Sequence, residues 1–566
     1  MLRYFLLFSC FVLVVSCKKS LSEINDSQVD AIRINQVGYY PNAPKKAIII
    51  DGSNLKTYSL VDLELNTIVF EGNLTESTTW ELAGEQVQIA DFSNFSNHGS
   101  YRIYVEGLGY SHAFDIADDV LEEPAKATVK ALYYQRASTE LPEKYAGKWA
   151  RKAGHPDNEV TYHSSSGKKG TMDGHGGWYD AGDFGKYVVN GAYPLGQMMT
   201  FHEQYPNFYK DNSLNIPESG NGISDLLDEL KYEMNWLLRM QDDDGGVFFK
   251  LTTKRFTGMI LPEKAADERF VIGKSTTASL NFAAVAAKSA RTFKEVDPAY
   301  ANSCMLAAIK AYNWAKKNPE VAFKNPEDVV TGEYGDDDFS QEFYWAAAEL
   351  YLTTAEESYI NDLRSTSVNF SFKPGESWAN HMHYLGAIAL IDHLEDGALK
   401  TQLETEIVVA ANELLGLTEK TAYFQPISDF QWGSNSDIFN TAMIVATAYR
   451  ITKKPQYLKT VQEIADYVFG KNATAYSFVT GFGDKTPMYI HHRQSAGDAI
   501  KEPVPGFISG GPNNRKQDKD QVTYPENKAP MKAWADQEAS YASNEICLNW
   551  NSSAVYVLGF LANESN

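Results

Sequence analysis

Two short stretches of the 566-residue sequence hold carboxylates in settings that suit proton transfer. The first is Gly176-Gly177-Trp178-Tyr179-Asp180-Ala181-Gly182-Asp183-Phe184-Gly185-Lys186-Tyr187, in which two aspartates stand three positions apart, separated by Ala-Gly and preceded by Gly-Gly. Small neighbours let a substrate or a water molecule approach both carboxylates closely. Asp183 has a second reading, as the cap of a helix that starts at Phe184, and capping and catalysis are compatible. The second stretch is Tyr541-Ala542-Ser543-Asn544-Glu545-Ile546-Cys547-Leu548-Asn549-Trp550-Asn551. Glu545 separates polar loop residues from an apolar segment, surroundings that would desolvate a carboxyl group, raise its pKa and keep it protonated as a general acid. A glutamate opening a helix would instead have its pKa lowered by the helix dipole, and the sequence leaves both readings open. A third stretch, Val479-Thr480-Gly481-Phe482-Gly483, is followed by His491-His492-Arg493. Adjacent histidines point in different directions on most backbones, so they suit a hydrogen-bonding wall against substrate better than a two-ligand metal site.

Several other chemistries have no support. The chain contains no GxxxxGK[ST] loop, no GxGxxG after a strand and no GxSxG elbow, and His202-Glu203 lacks the second histidine of HExxH. Nucleotide, hydride-transfer and zinc-protease readings drop out. With 51 Lys and Arg against 73 Asp and Glu, the net charge is −22, a field that repels phosphate backbones and anionic lipid surfaces. Nucleic acid is therefore excluded as a partner and neutral substrates fit better. The 33 Tyr, 29 Phe and 10 Trp suit flat, amphipathic partners such as sugar rings, or equally a tyrosine-rich core. Of the four cysteines, Cys10 and Cys17 lie near the N-terminus and only Cys304 and Cys547 lie in the body, so neither a disulfide framework nor a CxxC metal knuckle is present.

Met1-Leu2-Arg3 and the apolar run Tyr4 to Val15 read as a secretion signal, being too short for a comfortable membrane span. Val14-Val15-Ser16-Cys17 resembles the bacterial lipoprotein box. A leader over 1–17, lipidation of Cys17 and a flexible tether over 18–30 are expected, giving an exported protein anchored in the bacterial outer membrane only through lipid.

The elements that must position these groups fall into two kinds. From 31 to 117 the pattern alternates as strands do, in Lys46–Ile50, Thr57–Val61, Thr67–Phe70, Gln86–Ile89 and Tyr101–Val105, with turns such as Asp51-Gly52 and His98-Gly99 between them. Short strands at regular spacing predict a small β-sandwich. An acidic stretch ending before Pro124 marks a linker over 118–125. From there the periodicity is helical, most clearly at Ile223–Met240, Ala278–Phe293, Ser303–Lys316, Gln341–Leu352, Ser377–Leu394, Ile438–Ile451, Tyr457–Phe469 and Trp550–Ala562, so 126–566 reads as an α/α assembly. Long Gly-, Asp- and aromatic-rich loops at 153–183, 241–275, 325–339 and 471–544 are where function is expected.

Taken in order, Asn35-Gln36-Val37-Gly38-Tyr39, Tyr133-Tyr134-Gln135-Arg136, the Asp180–Asp183 motif, Ile216-Pro217-Glu218-Ser219-Gly220-Asn221-Gly222, Trp345-Ala346-Ala347-Ala348-Glu349-Leu350-Tyr351, Trp432-Gly433-Ser434-Asn435-Ser436, Thr480-Gly481-Phe482-Gly483, His491-His492-Arg493, Gly510-Gly511-Pro512-Asn513 and Ser543-Asn544-Glu545 resemble glycoside hydrolase family 9, the inverting cellulase family, in its subgroup with an N-terminal immunoglobulin-like domain. The resemblance implies a mainly α protein, with an (α/α)6 barrel behind a small immunoglobulin-like β-sandwich and a cleft at one end of the barrel. It implies an endo-acting hydrolase of β-1,4-glucosidic bonds in cellulose, mixed-linkage glucan or xyloglucan. Asp183 would be the general base, Asp180 would help hold the water, Glu545 would be the acid, and His491 and Arg493 would bind sugar hydroxyls. Inversion needs the two working carboxyls about 6.5–9.5 Å apart with a water between them. Trp178, Tyr179, Trp432 and Trp550 are stacking surfaces or cleft-floor packing. The alternatives are an exo-acting β-glucosidase or glucosaminidase of the same family, or a glycan-binding envelope lipoprotein without chemistry. No cofactor is required for the reaction. Zinc is disfavoured, because His155, His163 and His175 come without a cysteine. The resemblance leaves room for a structural calcium with unassigned ligands, although Gln341-Glu342 stands where relatives usually have Asp-Glu.

Overall fold

Alternating apolar residues in the N-terminal segment become the facing sides of two sheets. The computed structural model describes residues 27–50, 55–376, 378–527 and 529–565, so the leader, Cys17, most of the tether and the Asp51-Gly52 turn lie outside the described residues. One sheet runs in the order Ile32–Arg33, Lys46–Ile50, Glu85–Asp91, Thr78–Trp80, and the other in the order Gly38–Tyr39, Phe114–Ile116, Gly99–Val105, Thr57–Asp62, Thr67–Asn73, with Gly109–Tyr110 also paired to Gly99–Val105. Ile32, Ile49, Leu60, Ile103 and Phe114 point between the sheets and are buried there. This is the face-to-face packing of an alternating sandwich.

Twelve helices of nine residues or more follow among the described residues: α1 Glu122–Tyr134, α2 Val188–Gln204, α3 Asp225–Arg239, α4 Thr276–Thr292, α5 Pro298–Lys317, α6 Ser340–Thr354, α7 Glu357–Ser365, α8 His383–His393, α9 Ala398–Glu419, α10 Ser434–Thr452, α11 Pro455–Val468 and α12 Leu548–Glu564. Helices α2, α4, α8, α10 and α12 are buried along almost their whole length and α6 along its middle, whereas α5, α7 and α9 bury only one stripe. An inner ring apolar all round and an outer ring amphipathic is what an (α/α)6 barrel demands. None of these helices is long and apolar enough to cross a membrane.

Three details differ from the sequence expectations. The 118–125 segment is not wholly a linker, because α1 begins at Glu122. Pro124 falls in its first turn, where the missing N–H has no helical partner to lose. The helix expected from 377 begins instead at His383, behind a single 3₁₀ turn at Trp378–His381. The segments 153–183 and 241–275 are not wholly loop: strands Thr171–Met172, Val160–Tyr162, Arg269–Lys274, Phe248–Thr253 and Lys186–Tyr187 pair in that order as a small sheet beside the barrel. Tyr187 pairs with Lys250 and Lys186 with Leu251, so the helix after the aspartates starts at Val188 and not at Phe184.

The sandwich is joined to the barrel through buried polar groups. Asn35 Nδ2 donates to Asp466 Oδ1 at 2.9 Å, Gln36 Nε2 to the Ala475 carbonyl at 2.8 Å, and the Gln36 N–H to the Phe469 carbonyl at 2.9 Å. The Met531 N–H donates to the Leu82 carbonyl at 3.0 Å. The sandwich thus braces both ends of the long segment that leads to Glu545.

Candidate active site

Asp180 and Asp183 lie on a loop fastened from three sides. The Trp178 N–H donates to Glu233 Oε2 at 2.6 Å and its indole N–H to Glu229 Oε1 at 2.7 Å, both acceptors lying on α3. Arg136, at the end of α1, holds the same Glu229 and also Glu218 through its guanidinium. The Tyr179 N–H donates to the Gln135 carbonyl, and Gln135 Nε2 returns a bond to the Ala181 carbonyl, each at 2.8 Å. From the other end of the chain, the Leu548 N–H donates to the Asp180 carbonyl at 2.9 Å and Ala181 bridges to Cys547. The motifs around Arg136 and Glu218 therefore serve to aim the aspartates.

The two aspartates differ in what they have left to offer. Both Asp180 oxygens are engaged, Oδ1 by Asn190 Nδ2 at 2.6 Å and Oδ2 by the Tyr334 hydroxyl at 2.7 Å. Burial, and next the charge of Asp183, push its pKa up to about 8 against those two hydrogen bonds. Asp183 accepts only from the Gly185 N–H, through Oδ2 at 2.9 Å, and no protein donor among the described residues reaches Oδ1. That short bond turns the chain locally; Asp183 is not a helix cap.

Glu545 sits three residues before α12, outside the reach of a helix-terminal bond. Its backbone bridges to His491, and its carbonyl accepts from the Gly510 N–H at 2.9 Å. Burial, followed by the charge of Asp183, raises its pKa well above the usual carboxylic range; Arg493 and the Gly182 N–H oppose this. Of the two sequence readings, desolvation wins over the helix dipole. Gly182 is thus the meeting point of both carboxylate-bearing segments: its carbonyl accepts from the Arg493 N–H at 3.0 Å, and a Cβ placed on it would lie 2.0 Å from the His491 carbonyl oxygen. Backbone cannot yield there as a flexible side chain would. We expect Gly182→Ala to push the aspartate loop off the Glu545 strand and lower kcat by about 100-fold, since misplacement by about 1 Å is enough for such a loss. Turnover assays paired with a thermal melt check this.

All three carboxylates line one open cavity of about 1050 Å³. His491 and Arg493 line it as well. His491 Nδ1 donates to the Glu538 carbonyl at 2.7 Å, and burial lowers the ring pKa to about 4, so the neutral imidazole keeps Nε2 as an acceptor for a hydroxyl. Arg493 is held by the Gly182 and Thr257 carbonyls at 2.8 and 2.9 Å. Its neighbour His492 turns away to Gln135 and Ser495. Trp432, 44% exposed and packed on Tyr541, and Trp550 face the cavity. Trp178 and Tyr179 do not: each is about 2% exposed or less, with the indole committed to Glu229 and the phenol hydroxyl bonded to His155 at 2.8 Å. They are packing beneath the loop and not stacking surfaces, because Glu233 and Glu229 hold Trp178 and His155 holds Tyr179 on the side away from the cavity.

Sequence reasoning missed Tyr334, Asn190 and the cavity-wall residues Phe256, Trp378 and Gln431. Tyr334 lies in a loop singled out for its length, but nothing in the sequence marked the residue. Among the described residues no three His, Cys, Asp or Glu side chains converge on a metal position. His155 is bonded to Tyr179, His163 to Ser165 and Asp328, and His175 to the Pro156 carbonyl. Glu342 is fully buried beside Asp336, and burial raises its pKa well above the usual range.

Residues 122–558 match the model of glycosyl hydrolase family 9, and residues 27–110 match that of the cellulase N-terminal Ig-like domain. The chain is 38% identical to the xyloglucan-specific endo-β-1,4-glucanase of Bacteroides ovatus, over 98% of this chain and 97% of that protein. It is 33% identical to endoglucanase D of Acetivibrio thermocellus, over 97% of this chain and 86% of that protein. Among solved structures, a Bacteroides ovatus family 9 glycoside hydrolase superposes with a TM-score of 0.87 at 36% identity, covering 95% of this chain and all of that one. A metagenome-derived family 9 endoglucanase superposes with a TM-score of 0.86 at 30% identity, covering 94% and 98%.

Proposed function

The chain belongs to glycosyl hydrolase family 9 and is an endo-β-1,4-glucanase, and from that premise we propose that it cleaves the backbone of xyloglucan by a single inverting displacement. The observation that carries this reading is that Asp180, Asp183 and Glu545, drawn from opposite ends of the chain, line one cavity. Asp183, with its uncommitted Oδ1, takes a proton from the attacking water. Asp180, both oxygens already bonded and its pKa raised to about 8, is a poor proton acceptor at neutral pH and serves to hold that water. Glu545, kept protonated by burial, gives its proton to the departing glucosyl oxygen. His491 and Arg493 take up sugar hydroxyls, and Trp432 and Trp550 offer faces to sugar rings.

Xyloglucan is favoured by the relative whose name carries that specificity and which matches 98% of this chain. The breadth of the cavity, with Gln431, Arg515, Gln517 and Gln521 on its wall, offers polar partners to a branched chain. The reading includes export with lipid on Cys17, supported by the Val14-Val15-Ser16-Cys17 sequence. A panel of xyloglucan, carboxymethylcellulose and mixed-linkage glucan tests it, scored by viscosity and by product size. The expected result is a fast viscosity drop and large oligosaccharides from xyloglucan. Release of only mono- or disaccharides, or turnover of xyloglucan far below that of unbranched glucan, would overturn it.

A further inference from the structure

Lys250 lies on the Phe248–Thr253 strand, directly across from Tyr187, and its side chain is fully buried. Its ammonium makes no ion pair within salt-bridge distance among the described residues. It donates instead to Asn325 Oδ1 at 2.6 Å, the Gly332 carbonyl at 2.8 Å, Thr331 Oγ1 at 3.2 Å and the Thr331 carbonyl at 3.3 Å. Asn325 in turn donates through Nδ2 to the Thr331 carbonyl at 2.7 Å. A buried charge without a contacting counterion is costly, and one spent wholly on the side chains and carbonyls of a single loop implies that the loop's place matters.

That loop continues directly into Tyr334, whose hydroxyl reaches Asp180 Oδ2. Tyr334 has φ +44°, a left-handed backbone that a tyrosine adopts only when its surroundings impose it. Its ring packs edge-on against Tyr187 at 5.0 Å, the residue paired with Lys250 across the sheet. One lysine therefore touches both what precedes Tyr334 and what lies against it. Burial lowers the Lys250 pKa to about 7, against the pull of Asp183, Glu333 and Asp180. The ammonium is thus charged on the acid side of neutrality, and its field reaches both aspartates.

We propose that Lys250 is a positioning residue of this active site: its buried ammonium fastens the 331–334 turn and so delivers the Tyr334 hydroxyl to Asp180. The proposal rests on the reading of Asp180 and Asp183 as the pair that handles the attacking water.

The test is a double-mutant cycle of Lys250→Met and Tyr334→Phe on the full chain, with kcat, KM and the pH profile of kcat measured for each variant. Lys250→Met should lower kcat by about 10- to 100-fold with KM within about twofold, since sugar-binding groups are untouched. The groups facing Asp180 are Asp183, Glu545, Glu233, Cys547, Tyr187, Tyr334, Asn190 and Lys250, so removing the cation leaves an excess of acids. Carboxylate pKa values rise, and the acid limb of the profile moves to higher pH. The double variant should be no worse than the weaker single variant, because both remove the same hydrogen bond. Effects that multiply, or an unmoved acid limb, would overturn the proposal. Should Lys250→Met fail to fold, Asn325→Ala takes its place in the cycle with the same expectation. Asp183→Asn run in parallel separates two failures: full activity there removes the underlying reading, whereas its loss beside normal Lys250→Met turnover removes only the role of Lys250.

Discussion

Glu545→Gln lowers kcat on xyloglucan by about 1,000-fold or more while the thermal melt stays within a few degrees of the parent protein. The amide keeps the shape of the side chain but has no acidic proton for the leaving oxygen. The fold has little to lose, since Glu545 carries no ion pair among the described residues and burial favours its protonated form. Two further readouts follow from that role. A glycoside with a strongly acidic phenol as leaving group needs little protonation, so the loss on it is much smaller than on the polysaccharide. The parent enzyme needs Glu545 protonated, so its activity falls as pH rises through a pKa lifted above the usual carboxylic range. In the variant that alkaline limb is absent. Equal losses on both substrates, or an alkaline limb that survives, would place the acid elsewhere.

Asp183→Asn has the opposite signature. Without a base the water stays a weak nucleophile, and kcat falls by about 100- to 10,000-fold on every substrate, whatever its leaving group. KM changes little because the remaining cavity wall is intact. The substitution keeps one oxygen for the Gly185 N–H, so the local turn survives. It also removes the charge that, after burial, does most to raise the pKa values of both Asp180 and Glu545. The alkaline limb of the residual activity should therefore shift to lower pH. Steady-state kinetics on a phenyl glycoside and on xyloglucan, over a pH series, check both statements. A loss confined to the polysaccharide would contradict the base role.

The sequence was most legible where pattern and chemistry coincide. Alternation at Lys46–Ile50 and Tyr101–Val105 was enough for the sandwich strands, and small apolar faces such as Ala283–Ala287 were enough for the inner helices. Asp180, Asp183 and Glu545 stood out as carboxylates in glycine-rich or desolvating settings, and the roles proposed for them and for His491 and Arg493 came from the family resemblance. What stayed hidden depends on long-range pairing. The Lys186–Tyr187 strand exists only because Lys250 and Leu251 lie beside it, and this moved the following helix away from Asp183. Helix α2 contains Gly191, Pro194 and Gly196, which disguise it; the two glycines are needed where Glu233 and Trp345 press against it. For Trp178 and Tyr179 the sequence left stacking and packing both open, because an aromatic next to an acid looks the same in sequence whether it faces sugar or core; the structure packs both. Tyr334 carried no local signal, since its hydroxyl acts on a residue 154 positions away.

The anomeric form of the first product tests most directly the claim that Asp183 and Glu545 act on one glucosidic bond from opposite sides. Proton NMR during the first minutes of oligosaccharide hydrolysis, before mutarotation, resolves the two forms. An α-configured reducing end appearing first is the predicted result, because water admitted beside Asp183 must invert the β-linked carbon. A β-configured end appearing first would mean a covalent intermediate, and a carboxylate acting as nucleophile where Asp183 is assigned as base.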